Sequence, residues 1–273
     1  MTPKLQQTVP VVAREMISPD YFELAFAFPE LARLAQPGHF VTLTPIQTGP
    51  PLLRRPFSIQ RVSPDGEVRL LIKIVGAGTR ALAELRPGQT VDVLGPLGAG
   101  VFQVSPPTTQ PIFVAGGVGI APFLFLADRL HDRPDLHSTL IFGGRGAADL
   151  VTRDRFEALG LDCRYTTEDG SLGHRGLVTD ELRARLADSP AEATEVFACG
   201  PLPMLRAVAL LCREAAVRCQ VSLESQMACG LGSCRGCVVP TIGDPTGHGI
   251  PYQRVCYEGP VFAANQIVWE ELT

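Results

Sequence analysis

The stretch PIFVAGGVGIAP, residues 111–122, decides the fold of this chain. An apolar run of strand length leads into Gly116, Gly117 and Gly119, and an apolar run of helical length follows. A buried strand that passes through a glycine-rich turn into a helix is typical of a site for the pyrophosphate of a dinucleotide. The stretch does not match the G-x-G-x-x-G pattern, so a glycine-rich turn without a ligand stays open as the alternative.

Strand and helix patterns alternate on the C-terminal side of this stretch. Each predicted helix follows a short apolar strand, and the helices cover 120–130, 149–159, 177–187 and 203–215. This alternation predicts a parallel α/β sheet with helices on both faces. The fourth strand ends in Cys199-Gly200-Pro201, at the edge where open parallel sheets bind ligands. Cys199 is therefore a candidate catalytic residue beside a nicotinamide, with a small buried side chain as the alternative.

Residues 1–103 carry a different pattern, in which six short strands are separated by proline- and glycine-rich turns. This spacing predicts a small closed antiparallel β-barrel. One of its strands, LRRPFSI at 53–59, offers the guanidinium of Arg55 to a pyrophosphate and the hydroxyl of Ser58 to a flavin ring. The alternative is an ordinary strand with a surface arginine.

The glycine-rich segment VGAGT at 75–79 precedes a predicted helix on the same barrel. N–H groups at the start of a helix bind phosphate, and the Thr79 hydroxyl can cap the helix. Together with Arg55, the segment predicts a flavin site on the barrel.

Three cysteines lie in ACGLGSCRGC at 228–237, and a fourth follows at Cys256. The spacing C-x4-C-x2-C with one distant cysteine is that of plant-type [2Fe–2S] proteins. Glycines let such a loop fold around two irons and bring backbone N–H groups to the sulfurs. The alternative is a structural zinc site, although zinc sites more often use two C-x2-4-C pairs. Three further cysteines are predicted to be small core residues: Cys163, Cys212 and Cys219. The five histidines are predicted to be structural or surface residues: His39, His131, His137, His174 and His248.

Composition limits the class of protein. Of the 273 residues, 45% are hydrophobic and 19% are charged, which excludes a disordered chain. The net charge of −4 argues against a nucleic-acid-binding protein. Since no apolar run reaches membrane-spanning length and the N-terminus lacks a secretory pattern, a cytoplasmic protein is expected. Eight cysteines in such a protein indicate metal or redox chemistry rather than disulfides.

These patterns divide the chain into three predicted domains: a flavin-binding barrel over 1–103, a nucleotide-binding α/β domain over 104–222 and a [2Fe–2S] domain over 223–273. The last region has few apolar periodicities, so the cluster is expected to organise it.

The motifs, taken in order, resemble those of the ferredoxin–NAD(P) reductase superfamily. The narrower resemblance is to the electron-transfer subunits of dihydroorotate dehydrogenase B, and it rests on RRPFSI, VGAGT, TTEDGSLGHRGLVTD at 166–180, SLESQMACGLGSCRGC and RVCYEGPVF. It covers nearly the whole chain and implies FAD on the barrel, NAD on the α/β domain and [2Fe–2S] at the C-terminus. By this resemblance FAD contacts Arg55, Pro56, Phe57, Ser58, Ile72, Lys73, Ile74, Gly78 and Thr79. The pyridine nucleotide faces Gly116, Gly117, Gly119, Cys199, Gly200 and Pro201, and the cluster ligands are Cys229, Cys234, Cys237 and Cys256.

The resemblance also implies a partner. In the family, an FMN-containing catalytic subunit oxidises dihydroorotate in pyrimidine biosynthesis, and electrons pass through the cluster and FAD to NAD in a two-plus-two heterotetramer. The open alternatives are the flavin and iron–sulfur subunit of an NADH-dependent ferredoxin–NADP oxidoreductase or of a sulfhydrogenase, a stand-alone reductase for an oxygenase, and a zinc-stabilised binding module. Arg145 is a candidate for binding the 2′-phosphate of NADP, although the resemblance favours NAD. The segment 241–254 looks like an insertion, either a surface excursion or a change to the partner-binding face.

Overall fold

The computed structural model describes residues 2–45, 53–243 and 251–272, so His248 and residues 244–250 of the insertion lie outside the described residues. The alternating side chains of the first hundred residues form an antiparallel sheet of seven strands, which curls around an apolar interior. Its strands are β1 Leu5–Ser18, β2 Tyr21–Ala27, β3 Phe40–Pro45, β4 Arg55–Ser58, β5 Arg61–Val62, β6 Glu67–Lys73 and β7 Thr90–Leu97. The spatial order is β4-β3-β7-β1-β2-β6-β5, and two short helices accompany the sheet, α1 Pro29–Leu34 and α2 Ala77–Ala83.

The pattern FSIQRV, residues 57–62, predicts one continuous strand, but the structure divides this segment. β4 pairs with β3 at one end of the sheet, whereas β5 pairs with β6 at the other end, so the chain crosses between the two ends at Ile59 and Gln60. Both residues are buried, and the Gln60 amide donates to Glu23 Oε1 at 2.8 Å. The sheet therefore has seven strands rather than six.

The following segment forms a second seven-stranded sheet, in the order β11-β10-β9-β8-β12-β13-β16. All its described pairings are parallel except the last, β13 with β16. Its strands are β8 Gln110–Gly116, β9 Thr139–Gly144, β10 Asp162–Thr167, β11 His174–Arg175, β12 Thr194–Cys199, β13 Arg218–Ser222 and β16 Val261–Ala263. Its helices are α3 Ala121–Leu130, α4 Arg153–Ala158, α5 Val178–Ala187 and α6 Leu202–Glu214. This is the parallel α/β domain that the alternation predicts.

The predicted helix over 149–159 is shorter in the structure. A short 3-10 turn covers Ala147–Asp149, and α4 begins only at Arg153. The reason is Thr152, whose φ of 59° is left-handed and cannot continue a right-handed helix.

The C-terminal region consists of two unlike parts. Residues 224–237 contain no helix or strand, and they lead into the hairpin of β14 Val238–Pro240 and β15 Tyr252–Arg254. The chain after this hairpin is well anchored, because Val255, Phe262 and Trp269 are buried in the same apolar core as α6. Apolar packing therefore organises residues 255–272, and the expectation that the cluster organises the whole region was too broad. In the described part of the chain, no helix is long and apolar enough to cross a membrane.

Candidate functional site

A cavity of about 680 Å³ lies at the carboxyl ends of the parallel strands β8, β9, β10 and β12. Side chains there include Arg145, Asp149, Glu168 and Met204. Five predicted nucleotide-binding residues line it: Gly116, Gly117, Gly119, Gly200 and Pro201. The cavity is thus at the position where open parallel sheets bind nucleotides.

Gly119 is required by close backbone approach, and Gly116 packs closely on a side chain. A Cβ on Gly119 would lie 2.3 Å from the carbonyl oxygen of Cys199, and one on Gly116 would lie 2.7 Å from Met204 Sδ. The turn after β8 therefore packs directly on the end of β12, which leaves the cavity floor lined by backbone. A floor of this kind lets a pyrophosphate approach backbone N–H groups, so the site fits a dinucleotide.

A second cavity of about 270 Å³ lies between the curled sheet and the α/β domain. Six predicted FAD contacts line it: Pro56, Phe57, Ser58, Ile72, Lys73 and Thr79. Arg55, Ile74 and Gly78 are not among the described residues that line it. Arg55 Nη1 instead donates to the carbonyl of Leu53 at 2.5 Å. An aromatic ring, a hydroxyl and an ammonium around one narrow cleft fit the flat, polar-edged ring of a flavin.

The segment before α2 is held by Thr79. Its Oγ1 accepts the backbone N–H groups of Val75 at 2.9 Å and Gly76 at 3.1 Å. These two amides are consequently not the free phosphate donors that the sequence suggested. Thr79 itself is buried and lines the flavin cavity, so its hydroxyl shapes the wall of the cleft.

Cys199 is 2% exposed and lines the flavin cavity beside Ser222. Burial raises the pKa of its thiol, so the group stays protonated at neutral pH. It is a small neutral group at the end of β12, next to Gly200 of the nucleotide cavity.

The two cavities meet, because Lys73, Val118 and Glu224 line both of them. Lys73 ends β6 of the curled sheet, Val118 belongs to the turn after β8, and Glu224 follows β13. Two flat rings bound in adjoining cavities can therefore contact each other across this shared wall.

The four predicted cluster cysteines lie as two pairs. The thiols of Cys229 and Cys234 are within hydrogen-bonding reach of each other, and so are those of Cys237 and Cys256. Among the described residues, no three His, Cys, Asp or Glu side chains gather around a single metal position. Two pairs of thiolates suit a cluster of two irons, each of which takes two sulfurs.

Backbone N–H groups point at these sulfurs. Leu231 N donates to Cys229 Sγ at 3.4 Å, and Gly232 N donates to Cys256 Sγ at 3.2 Å. Burial opposes ionisation of Cys229, but the backbone N–H groups of its loop outweigh burial and lower its pKa to about 6. Burial and the neighbouring Cys237 raise the pKa of Cys256 to about 12. The N–H donors fit a cluster, since metal-bound sulfurs are acceptors that such bonds stabilise.

The cysteine loop continues directly from the flavin cavity. Ser225 and Met227 line that cavity, and Cys229 follows two residues later, at most about 7 Å along the chain. The loop also packs on the curled sheet, because a Cβ on Gly230 would lie 3.2 Å from the methyl group of Thr42. Arg254 holds its far side by donating to the carbonyl of Gly232 at 2.8 Å.

Several lining residues were missed by sequence reasoning, namely Asp149, Glu168, Glu224 and Met227. Tyr21, whose hydroxyl donates to Asp149, was missed as well. Glu168 and Glu224 had a signal, because Glu168 directly follows β10 and Glu224 comes two residues after β13, at the carboxyl ends of parallel strands. Arg145, the candidate for a 2′-phosphate, donates through Nε to Asp149 Oδ2 at 3.2 Å. No local sequence pattern points to Tyr21, because its role depends on a contact with Asp149, which lies 128 residues away in the sequence.

Fold and site together define a ferredoxin reductase-like oxidoreductase with FAD-, NAD- and iron–sulfur-binding domains. Three family models match the chain: an oxidoreductase FAD-binding domain over 8–102, an oxidoreductase NAD-binding domain over 113–209 and the iron–sulfur cluster binding domain of dihydroorotate dehydrogenase B over 224–268. Two curated relatives are dihydroorotate dehydrogenase B (NAD(+)) electron transfer subunits. The one from Desulforamulus reducens is 37% identical, covering 95% of this chain and 97% of its own, and that from Geobacillus kaustophilus is 35% identical, covering 96% and 98%.

Solved structures share this fold. The NADH-dependent reduced ferredoxin-NADP oxidoreductase superposes with a TM-score of 0.83 at 29% identity, over 97% of this chain and 91% of that chain. A cytochrome P450 reductase from Amycolatopsis, at 24% identity and a TM-score of 0.67 over 79% of this chain and 67% of that chain, shares the fold. The chain belongs to the family of dihydroorotate dehydrogenase B electron transfer subunits and is a flavin-dependent NAD oxidoreductase subunit with an iron–sulfur cluster.

Proposed function

We propose that this chain takes electrons from an FMN-containing subunit that oxidises dihydroorotate to orotate in pyrimidine biosynthesis, and delivers them to NAD. The curated relatives named for this enzyme support the proposal, since they match over nearly their full length. Bound FAD exchanges two electrons with the nicotinamide and one electron at a time with the [2Fe–2S] cluster.

The observation that carries the proposal is the continuity of the three sites. The nucleotide cavity shares Lys73, Val118 and Glu224 with the flavin cavity, and the flavin cavity runs through Met227 into the cysteine loop. The nucleotide cavity, the flavin cavity and the cysteine loop therefore adjoin one another in this order, so electrons can pass between them in short steps. The described cavity walls thus support electron relay within this chain.

In this proposal each group of residues has a separate role. Phe57, Ser58 and Thr79 orient the flavin, while Gly116, Gly117 and Gly119 give the pyrophosphate a backbone floor. Cys199 is a neutral neighbour that excludes water beside the flavin. The cluster ligands are Cys229, Cys234, Cys237 and Cys256, and the domain boundaries stand at 103/104 and 222/223.

We further propose that the catalytic partner docks where Cys234 is exposed, in a cytoplasmic two-plus-two heterotetramer. The other three cluster cysteines are buried or half-buried, so Cys234 marks the side on which the cluster comes nearest to solvent. A one-electron exchange with a second protein needs an accessible cluster edge of this kind.

The experiment is affinity capture of the tagged chain from its native extract under anaerobic conditions, followed by assay of dihydroorotate-dependent NAD reduction. The expected result is activity together with a co-eluting FMN protein, at a mass for two copies of each chain. A flavin-bearing eluate that reduces dyes with NADH but shows no dihydroorotate-dependent activity would contradict the proposed partner.

A second candidate is the corresponding subunit of an NADH-dependent ferredoxin–NADP oxidoreductase. The likeness to that solved structure, with a TM-score of 0.83, favours it. The same eluate distinguishes the two, because this candidate would transfer electrons between NADH, reduced ferredoxin and NADP without using dihydroorotate.

A further inference from the structure

One carboxylate joins the two cofactor-binding domains at the wall that their cavities share. Asp149 ends the turn after β9, in the nucleotide-binding domain. Its Oδ1 accepts hydrogen bonds at 2.9 Å from Lys73 Nζ and at 2.9 Å from the Tyr21 hydroxyl, both of which belong to the curled sheet. Its Oδ2 accepts from Arg145 Nε at 3.2 Å and Arg145 N at 3.3 Å. Four donors from two domains therefore converge on one side chain.

The surroundings of this carboxylate leave it little freedom. Tyr21 and Lys73 are register partners on β2 and β6, and the Lys73 ammonium lies 4.8 Å from the centre of the Tyr21 ring. Burial opposes ionisation of Asp149, but its hydrogen bonds from Lys73, Arg145 and Tyr21 lower its pKa to about 2. Asp149 is thus a fixed negative charge at neutral pH, and it determines where the Lys73 ammonium lies.

Lys73 is the part of this group that meets both ligands, because it lines the flavin and nucleotide cavities together. The Tyr21 hydroxyl lies 3.7 Å from the position of a Cβ on Gly117, next to the turn that floors the nucleotide cavity. A shift of Asp149 would therefore move both the ammonium and the approach of one domain to the other.

A second ion cluster holds the same two domains together independently. Glu23 is 1% exposed on β2 and accepts from Arg155 of α4 at 2.6 and 2.9 Å. Arg69 of β6 donates to the same carboxylate at 3.2 Å. Because this cluster remains when Asp149 is changed, the loss of Asp149 should alter local geometry without separating the domains.

We propose that Asp149 is a positioning residue for electron transfer between nicotinamide and flavin: it fixes the Lys73 ammonium at the shared wall and sets how closely the two rings approach. Asp149 accepts hydrogen bonds from Lys73 and Tyr21, and it acts on the two rings by fixing these side chains. The inference rests on the proposed function only for the step between NADH and the flavin, and it needs no partner subunit.

The test is Asp149→Asn in the full chain loaded with FAD and cluster, assayed with NADH and ferricyanide. Each NADH gives up two electrons and one proton, and two ferricyanide ions take one electron each. We expect kcat to fall about tenfold or more, since small misplacements of reacting groups cost rate steeply. The KM for NADH should stay constant or fall, because Lys73 is released to face the bound nucleotide. The matched control is Asp162→Asn, which removes an exposed carboxylate that pairs with Arg164 on its own strand, and should leave both constants unchanged.

A second readout does not depend on turnover. Hydrogen–deuterium exchange of residues 145–149 should accelerate in Asp149→Asn, while exchange in β8 and β12 stays as in the wild type. Lys73→Met should reproduce the loss in kcat, and the double variant should lose no more than either single variant. Tyr21→Phe, which keeps every charge, should lose about threefold in kcat.

A kcat within about twofold of wild type, or a rise in KM at constant kcat, would overturn the proposal. Additive losses in the double variant would overturn it as well. If Asp149→Asn failed to retain FAD, the Lys73→Met and Tyr21→Phe variants would decide in its place. A wild-type chain that did not oxidise NADH would contradict the proposed function. The hydrogen–deuterium exchange experiment would still decide whether Asp149 fixes the contact between the two domains.

Discussion

The two cofactor cavities and the cysteine loop are built on different principles. The cavities are formed by two seven-stranded sheets whose side chains form buried apolar cores. The loop at 224–237 has no helix or strand, and residues 233–236 are exposed. Ligands held by noncovalent contacts need walls that exist before they bind, whereas a cluster supplies its own cross-links through four thiolates. The two sheets with their helices, which we call the framework, thus depend on apolar packing. The loop at 224–237 depends on metal.

The largest effect should come from removing a proposed cluster ligand. Cys229→Ser is expected to abolish the visible absorbance of the cluster and to reduce dihydroorotate-dependent NAD reduction at least about 100-fold, because even indirect damage to metal ligands costs up to that much. NADH oxidation by ferricyanide should stay within about twofold, since the cavities do not need the cluster. Absorbance spectra and both assays measure this.

The control for that variant is Cys163→Ser, which changes a half-buried cysteine in the nucleotide-binding domain and should leave the cluster intact. Loss of FAD together with the cluster in Cys229→Ser would show that the loop also builds the flavin cavity, and the contrast between the two regions would fail.

The framework should respond most strongly to a hole in its apolar core. Phe197 is fully buried on β12, with its ring edge-on to Phe102 and Phe113 at 5.9 Å each. Phe197→Ala should lower the free energy of unfolding by about 3–5 kcal/mol, measured by denaturant titration. Val12→Ala, at a side chain that is 45% exposed, should change it by no more than about 0.5 kcal/mol. A loss below about 1 kcal/mol for Phe197→Ala would mean that the cofactors, and not the core, hold this domain.

Acid should weaken the framework through one buried histidine. His39 precedes β3, is 2% exposed and accepts the backbone N–H of Gln36 at 3.0 Å, and burial lowers its pKa from 6.5 to about 4. Because the unfolded chain takes up a proton near pH 6.5 that the folded chain refuses until about pH 4, this stabilisation is complete above pH 6.5 and is lost between these values. The free energy of unfolding should fall by about 3 kcal/mol over that window.

The measurement is the difference in unfolding free energy between wild type and His39→Asn, whose amide oxygen can replace the Nδ1 acceptor. The variant should lack this part of the pH dependence. Parallel curves for the two proteins from about pH 7 to about pH 4 would show that His39 is not the group responsible.

Sequence reasoning reached the local features of this molecule and missed the long-range ones. Gly116 and Gly119 follow from a local rule for strand–turn–helix units, and the prediction of four cluster ligands follows from the spacing of the cysteines alone. The break between β4 and β5 was missed because it arises where the chain crosses from one end of a curled sheet to the other. The contact of Lys73 with Asp149 spans 76 residues, and no periodicity records it. Likewise, the anchoring of Val255 and Trp269 depends on a core supplied by α6, which their own sequence does not display.

The smallest effect we predict concerns Thr79, in the wall of the flavin cavity. Thr79 is 7% exposed, and its hydroxyl accepts two backbone N–H groups and donates to the carbonyl of Gly76 at 3.1 Å. Thr79→Ala should cost about 1 kcal/mol of stability, as the loss of a helix cap does, and weaken FAD binding about fivefold. Thr79→Ser keeps the hydroxyl and should restore both values to within a few tenths of a kcal/mol. If serine proved as damaging as alanine, the methyl group rather than the hydroxyl would shape the wall. If Thr79→Ala lowered stability but left FAD binding unchanged, Thr79 would serve only the fold. A cavity that forms before its ligand would then not explain how this region holds FAD.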